Sequence, residues 1–271
     1  MSGRRRVVAH LSDLHFGRDR PELLEPLLDA LCAAEPDLVA VSGDLTQRAR
    51  HAQFRAARAF LDRLPAPALV VPGNHDTPLD HFALRLARPW SRWRRWIGPE
   101  LAPRVDQPGL VAVGINTANP LDWQRGRFRK RDVAAAVRVF EKAGDAARIV
   151  VLHHPFVHAP HARKALMRGA ARALDALAET GVDVALSGHL HSWSAAAHVA
   201  GRAREAGVLL VEAGTGLSTR GRGEPNDFNL LEIADDRITV TRFAAVEDGA
   251  GFRSVGWTPF RRGEAGWIAA V

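Results

Sequence analysis

RVVAHLSDLH, residues 6–15, sets a short apolar run against an aspartate and a histidine at its far end. An apolar run this short, rich in valine and too brief for a helix, predicts a buried β-strand over Arg6–Leu11. Working outward, Glu22–Ala34 carries a helical pattern with Pro21 near its start, and Asp37–Ser42 is a second short apolar run. Strand, helix and strand in that order make a βαβ unit, the building block of a parallel sheet.

The alternation continues along the chain. A helix is expected from about Ala49 to Leu64, strands over Ala68–Val71, Leu110–Ile115 and Arg148–Leu152, and helices over Arg131–Ala143 and Lys164–Thr180. Strand Asp183–Ser187 follows, and then the character changes. Val208–Glu212, Phe228–Ile233 and Ile238–Phe243 read as strands joined by short turns without helices, which predicts a second, more antiparallel sheet packed on the first. No repeat or low-complexity linker divides residues 1–271, so one domain is expected, and a boundary near residue 195 is the weaker reading.

Composition narrows the class. The chain has 271 residues with 46% apolar and 25% charged, ordinary for a globular protein. A single cysteine, Cys32, excludes an internal disulfide framework and a cysteine-rich zinc module. No run approaches the roughly 18 apolar residues of a membrane span. The basic N-terminus reaches His10 and Asp13 before a signal-length apolar core forms, so a cytoplasmic protein is expected. The net charge of +7 is less informative than it looks: 34 of the 37 basic residues are arginines spread along the chain, a bias that gives only a smeared positive field.

Histidine is the better guide. Six of the twelve fall in four short segments just after expected strands, among five motifs: Asp13-Leu14-His15, Gly43-Asp44, Gly73-Asn74-His75-Asp76, His153-His154-Pro155 and Gly188-His189-Leu190-His191. Ligands bind at the strand ends of open α/β sheets, where loops converge on a crevice. Carboxylate, amide oxygen and imidazole nitrogen together suit Mn, Fe, Zn or Co. In D-x-H and H-x-H, residues two apart in extended backbone point the same way and can face one site. His10, within the first strand, reads as a packed core histidine, and His51, His81, His158, His161 and His198 as surface residues. Arg48 and Thr46 lie close enough to Asp44 to touch a phosphate, Thr46 capping a helix as the alternative; Asn116 either lines the crevice or caps a turn.

These motifs, in this order, resemble the calcineurin-like metallophosphoesterase superfamily, whose pattern is D-x-H, G-D, G-N-H-D/E, H and G-H-x-H. The match is SDLH, SGDL, GNHD, HHP and GHLH, over residues 10–191. The resemblance implies a four-layer αββα sandwich, two mixed β-sheets flanked by helices, with two divalent metal ions at the strand ends. It implies that Asp13, His15, Asp44 and His191 bind one ion, and that Asp44, Asn74, His153 and His189 bind the other, Asp44 bridging. His75 becomes a catalytic residue that binds no metal, held by Asp76. His154 is expected beside the site, facing substrate or supporting a ligand.

That chemistry answers a real difficulty. Phosphoesters resist hydrolysis because anionic phosphorus repels nucleophiles and alkoxides leave poorly. Two cations roughly 3.5–4 Å apart clamp the phosphoryl oxygens and acidify a bridging water, giving a hydroxide that attacks phosphorus. His75 would assist the leaving group, its imidazolium favoured by Asp76. The HHP and GNHD motifs resemble the branch acting on cyclic nucleotides and glycerophosphodiesters, although Phe156 stands where that branch often has a second proline. A phosphodiesterase acting on a phosphate-containing small molecule or nucleotide is therefore expected; a nucleic-acid substrate is not, for want of an evident DNA-capping domain, and the oligomeric state stays open.

Residues 85–104, RLARPWSRWRRWIGPELAPR, leave a second question. Trp90, Trp93 and Trp96 recur every third residue among arginines. The segment reads as an interfacial helix on an anionic membrane, as a lid stacking a nucleobase, or as a surface helix whose tryptophans pack on the domain. The first would suit a peripheral-membrane pyrophosphate hydrolase of the UDP-diacylglucosamine type. A non-catalytic scaffold would show eroded ligands, and here every position is filled.

Overall fold

The run that opens the chain forms strand β1 (Arg6–Leu11) in the computed structural model, which describes residues 5–158, 165–200, 206–246, 251–264 and 266–270. Val8, Ala9, His10 and Leu11 are all fully buried, because helices cover one face of β1 and strands the other. The first half alternates as expected: α1 (Leu24–Ala34), β2 (Leu38–Val41), α2 (His51–Leu61), β3 (Ala68–Val70), α3 (Phe82–Ala87), α4 (Ser91–Trp96), β4 (Arg104–Gln107), β5 (Leu110–Ile115), α5 (Lys130–Phe140), β6 (Ala147–Leu152), α6 (Ala170–Ala178) and β7 (Val184–Ser187). The remainder is all strand: β8 (Ser194–Ala200), β9 (Ala206–Glu212), β10 (Asp227–Ile233), β11 (Arg237–Ala245), β12 (Phe252–Gly263) and β13 (Gly266–Ala269).

Helix boundaries move inward for local reasons. Pro21 opens a 3₁₀ turn, so α1 is α-helical only from Leu24. Ala49 has φ +53°, which delays α2 to His51. Gly169 at φ +84° does the same for α6; the expected start at Lys164 lies outside the described residues.

The strands join in one hydrogen-bonded path, β3-β2-β1-β10-β11-β12-β13-β9-β7-β6-β5-β4, with β8 on β9. Pairing is parallel among β1–β2–β3 and among β5–β6–β7–β9, and antiparallel through β10, β11 and β12. Two separate sheets were expected; the chain instead links both halves through the β12–β13 hairpin and a parallel bridge between Gly266 and Gly207. The far ends of the path nevertheless come face to face. A Cβ on Gly114 in β5 would lie 2.7 Å from Val71 just after β3.

Three apolar clusters follow from this arrangement. Leu38, Ala40 and Leu69 meet Ala112, Ile149 and Val184 between the two halves, with Phe260 and Trp267 among them. Helices α1, α2 and α4 cover one outer face, and α5 and α6 the other. Helix–strand–strand–helix layering places the C-terminal ends of β1, β2, β3, β5, β6 and β7 along one edge. Of the aromatics in β12 and β13, Phe260 and Trp267 are core, Phe252 is partly buried and Trp257 is exposed.

The tryptophans of the Trp/Arg segment pack inward. Trp93 is fully buried and donates its indole N–H to the Glu100 carbonyl at 3.2 Å, and Trp90 is 8% exposed. Trp96 packs on the same cluster and donates to His51 at 2.8 Å. The rings of Trp90 and Trp93 thus pack on the domain as part of the helical layer, in line with the surface-helix reading. Among the described residues, no helix is long and apolar enough to cross a membrane.

Candidate metal centre

The motif residues do converge, but not through strand alternation. Asp13, His15, Asp44, His189 and His191 have φ between +50° and +71°, five of the seven non-glycine residues with positive φ among those described. This left-handed conformation costs roughly 1–2 kcal/mol per residue. It turns each side chain back over the strand ends, which an extended D-x-H or H-x-H would not do. Gly43, at φ +100°, is required here: a Cβ would lie 2.7 Å from His153 Nδ1. A Cβ on Gly73 would overlap the Asp44 carboxylate.

Five of the convergent side chains spend one polar atom on the backbone and turn another inward. Asp13 Oδ2 accepts from the His189 N–H at 2.9 Å and from Ser12 Oγ at 2.6 Å, while Oδ1 lies 3.0 Å from His191 Nε2 and 3.4 Å from His15 Nε2. Asp44 Oδ1 accepts from the His75 N–H at 2.8 Å, and Oδ2 lies 3.3 Å from His153 Nε2 and 3.7 Å from His15 Nε2. Asn74 donates Nδ2 to the Trp123 carbonyl at 3.1 Å and places Oδ1 3.2 Å from His153 Nε2. His153 and His191 each direct Nδ1 to a carbonyl, of Ser42 at 2.8 Å and Arg220 at 3.0 Å. A carbonyl only accepts, so those protons sit on Nδ1 and Nε2 faces the site. His15 Nε2 and His191 Nε2 are 3.3 Å apart, and His189 Nδ1 and His153 Nε2 3.2 Å.

All of this is buried, and it demands positive charge. Burial alone would raise the Asp13 and Asp44 carboxyls, yet the surrounding imidazoles, His191 on Asp13 and His153 on Asp44 foremost, hold both well below the carboxylate range. Against burial, the Asp44 and Asp13 charges push His153 up to about 9. Asp13 Oδ1 and His15 Nδ1 are buried without a hydrogen-bond partner. Donor atoms around an ion at about 2.0–2.2 Å stand roughly 3.0–3.5 Å from one another, close to the separations just given. The residues fit a metal.

Other expected residues are placed differently. The Asp76 carboxylate does not hold the His75 ring; it accepts from the N–H groups of Leu45, Thr46 and Gly73 and from Thr46 Oγ1, tying down the loop that carries Asp44. Burial, then the Asp44 charge, pushes its carboxyl up to about 7. His75 is oriented instead by the Gln47 carbonyl, 2.8 Å from Nδ1. His154 places Nδ1 2.8 Å from Thr117 Oγ1 and Nε2 3.1 Å from the Gln124 carbonyl, bracing the loop after β5. It also groups with His153 and His189, but both its ring nitrogens have these partners. Asn116 caps its own turn, accepting from Ala118 N–H at 3.0 Å, and Arg48 is exposed and does not line the cleft. His10 bonds Ser42 and Asn229 in the core and is kept neutral by burial, its pKa lowered to about 3. His161 lies outside the described residues.

A cavity of about 140 Å³ opens on the site, lined by Asp44, Asn74, His75, Gln124, His189, His191, Arg220 and Arg222. Sequence reading missed Gln124, Arg220 and Arg222. The signal for the arginines was the glycine-rich stretch after Val208–Glu212, another strand-end loop on the same edge.

Residues 6–193 match the family model for calcineurin-like phosphoesterases. The chain belongs to that family. This calcineurin-like phosphoesterase is 34% identical to the glycerophosphodiester phosphodiesterase GpdQ of Enterobacter lignolyticus over 161 residues, 55% of this chain and 56% of the relative's length. It is 28% identical to a cAMP/cGMP dual specificity phosphodiesterase of Mycobacterium tuberculosis over 262 residues, 86% of this chain and 77% of that protein. In fold it is similar to PhoD (TM-score 0.74, 10% identity, all of this chain and 72% of that one). The purple acid phosphatase PPD1 of yellow lupin follows (TM-score 0.70, 12% identity, 95% and 54%).

Proposed function

We propose that this calcineurin-like phosphoesterase hydrolyses phosphodiesters at the strand-end cleft with two divalent ions. The observation that carries the reading is that Asp44 Oδ2 stands between two sets of inward-facing donors. Asp13, His15 and His191 complete one set; Asn74, His153 and His189 complete the other. An imidazole-rich set with few carboxylates favours Mn, Fe, Zn or Co over Mg or Ca. The bound ions supply Lewis acidity toward phosphoryl oxygens and lower the pKa of water.

The chain's own groups do the rest. Nδ1 donors fixed on carbonyls keep His153 and His191 in one orientation, so little reorganisation accompanies binding. Asn74 contributes an oxygen without charge, which keeps the site attractive to an anion. His75 is assigned to the leaving-group oxygen through Nε2, the ring atom that faces the cleft. The diester preference draws on GpdQ and the mycobacterial relative, both named phosphodiesterases. The cleft is lined by polar residues and Trp90 and Trp93 are buried, which favours a polar substrate over a lipid-linked pyrophosphate.

The test is turnover of bis(nitrophenyl) phosphate and nitrophenyl phosphate after metal-stripped protein is reloaded with each ion in turn. Faster diester turnover is expected. A monoester preference overturns the diester assignment, and full metal occupancy with neither activity overturns hydrolysis.

A further inference from the structure

The guanidinium of Arg220 stands in the cleft with its Nη1 2.9 Å from His75 Nε2. Because His75 directs Nδ1–H to the Gln47 carbonyl, its Nε2 carries the lone pair and accepts from Arg220. No carboxylate pairs with Arg220 or with Arg222 among the described residues, whereas Arg242 is bound by Glu224 and Asp227, and Arg262 by Asp183. Two guanidinium groups without counter-ions in a cleft lined by polar residues form a cationic wall that invites an anion.

The backbone beneath Arg220 is fixed by several bonds, while its head group has only the His75 ring among the described residues. Its carbonyl accepts from His191 Nδ1 at 3.0 Å, and its N–H donates to Ser218 Oγ at 3.0 Å. Neighbouring Thr219 and Gly216 donate to the carbonyls of Arg18 and Ser12. A neutral imidazole is a weak partner for a guanidinium, and a phosphoryl oxygen is a strong one. The same chain position therefore has a resting partner, His75, and a better one when an anion enters.

We propose that Arg220 is the substrate clamp of this cleft: it leaves His75 to bind a non-bridging oxygen of the scissile phosphoryl group. Arg222, further out and exposed, extends the wall toward the esterified group. The substrate class that follows is a phosphoester with a small, polar alcohol, since the residues lining the cleft, Gln124, Asn74 and the two arginines among them, offer hydrogen bonds. Substrate entry also frees the Nε2 lone pair of His75 to take a proton from solvent water and pass it to the leaving-group oxygen. This inference rests on the phosphodiesterase reading for the identity of the anion.

Calorimetric titration of orthophosphate into metal-loaded protein tests it, with wild type, Arg220→Ala and Arg220→Lys compared at equal metal content. A lost charge-assisted hydrogen bond predicts phosphate binding about tenfold to a hundredfold weaker in Arg220→Ala, partly restored by lysine. Bis(nitrophenyl) phosphate hydrolysis should show the same loss in kcat/KM. Orthophosphate affinity within twofold of wild type in Arg220→Ala, or no orthophosphate binding by wild type, overturns the clamp. Arginine-dependent phosphate binding in a wild-type protein that hydrolyses no ester would keep the clamp and remove the hydrolase reading instead.

Discussion

Asp44→Asn is the sharpest perturbation of the proposed centre, because an asparagine has one oxygen for two tasks. Asp44 Oδ1 holds the His75 N–H at 2.8 Å, while Oδ2 faces His153 at 3.3 Å and His15 at 3.7 Å. If the amide oxygen keeps the backbone bond, the NH₂ group points at the ions. A unit charge about 4 Å from another is worth about 4 kcal/mol at an effective dielectric near 20. Relief of the burial cost that Asp44 bears returns part of this, leaving a loss of about 3 kcal/mol, roughly a hundredfold, at each ion.

The assay is metal content by elemental mass spectrometry against buffered free Mn or Zn, with Asp13→Asn alongside. Asp13 Oδ1 lies nearest His191 and His15. Asp44→Asn should therefore weaken both binding steps, and Asp13→Asn chiefly one. If Asp44→Asn bound both ions with wild-type affinity, or lost one and kept the other intact, the shared-oxygen argument would be wrong.

Three further outcomes are expected. Trp93→Ala should lower the free energy of unfolding by about 3–5 kcal/mol in urea yet leave turnover per folded molecule unchanged; a loss of turnover with unchanged stability would favour the lid reading. His75→Ala should keep full metal content and slow esters with poor leaving groups most, and equal slowing of all esters would deny it the leaving-group role. Burial pushes the Glu212 carboxyl up from 4.5 to about 7, so its protonated form favours the folded chain; that advantage is complete below about 4.5 and lost as the pH rises through about 7. Glu212→Gln should accordingly gain up to about 3 kcal/mol on wild type between pH 4.5 and pH 8, read from urea midpoints, whereas parallel pH profiles would place Glu212 in contact with water.

The motifs were legible because each is short and ends a strand: SDLH, SGDL, GNHD and GHLH carry their geometry in adjacent residues. The reason they converge was not. Left-handed backbone at Asp13, His15 and Asp44 leaves no mark in composition, since only glycine advertises positive φ. Strands β4, β8, β12 and β13 went unread for a related reason. SAAAHVA lacks branched apolar residues beyond one valine, and β12 contains both Gly256 and Pro259 and exposes much of its length, so neither shows a buried strand's pattern. Arg220 belongs to a loop between β9 and β10 that returns to the cleft only through tertiary contacts with Ser12, Arg18 and His191. The resemblance set Asp76 against His75, but the 3₁₀ turn Asn74–Asp76 turns its carboxylate toward the Asp44 loop.

Those details give the site a common logic. Five residues in left-handed backbone, an unpartnered Asp13 Oδ1 and two carboxylates, Asp44 and Asp76, joined through one loop all cost stability. They are held because Asp13, Asp44, Asn74, His153 and His191 each have a second polar atom bound to a neighbouring backbone group. Divalent cations would satisfy the inward atoms without disturbing the outward ones, so metal affinity and fold stability are linked through the same residues. Occupancy should then raise the thermal midpoint with the logarithm of free metal, and the rise should shrink in Asp44→Asn even where the metal-free proteins melt together. A midpoint indifferent to metal in the wild type would mean that the strained loops are stabilised from elsewhere, and the link between strain and binding would fail.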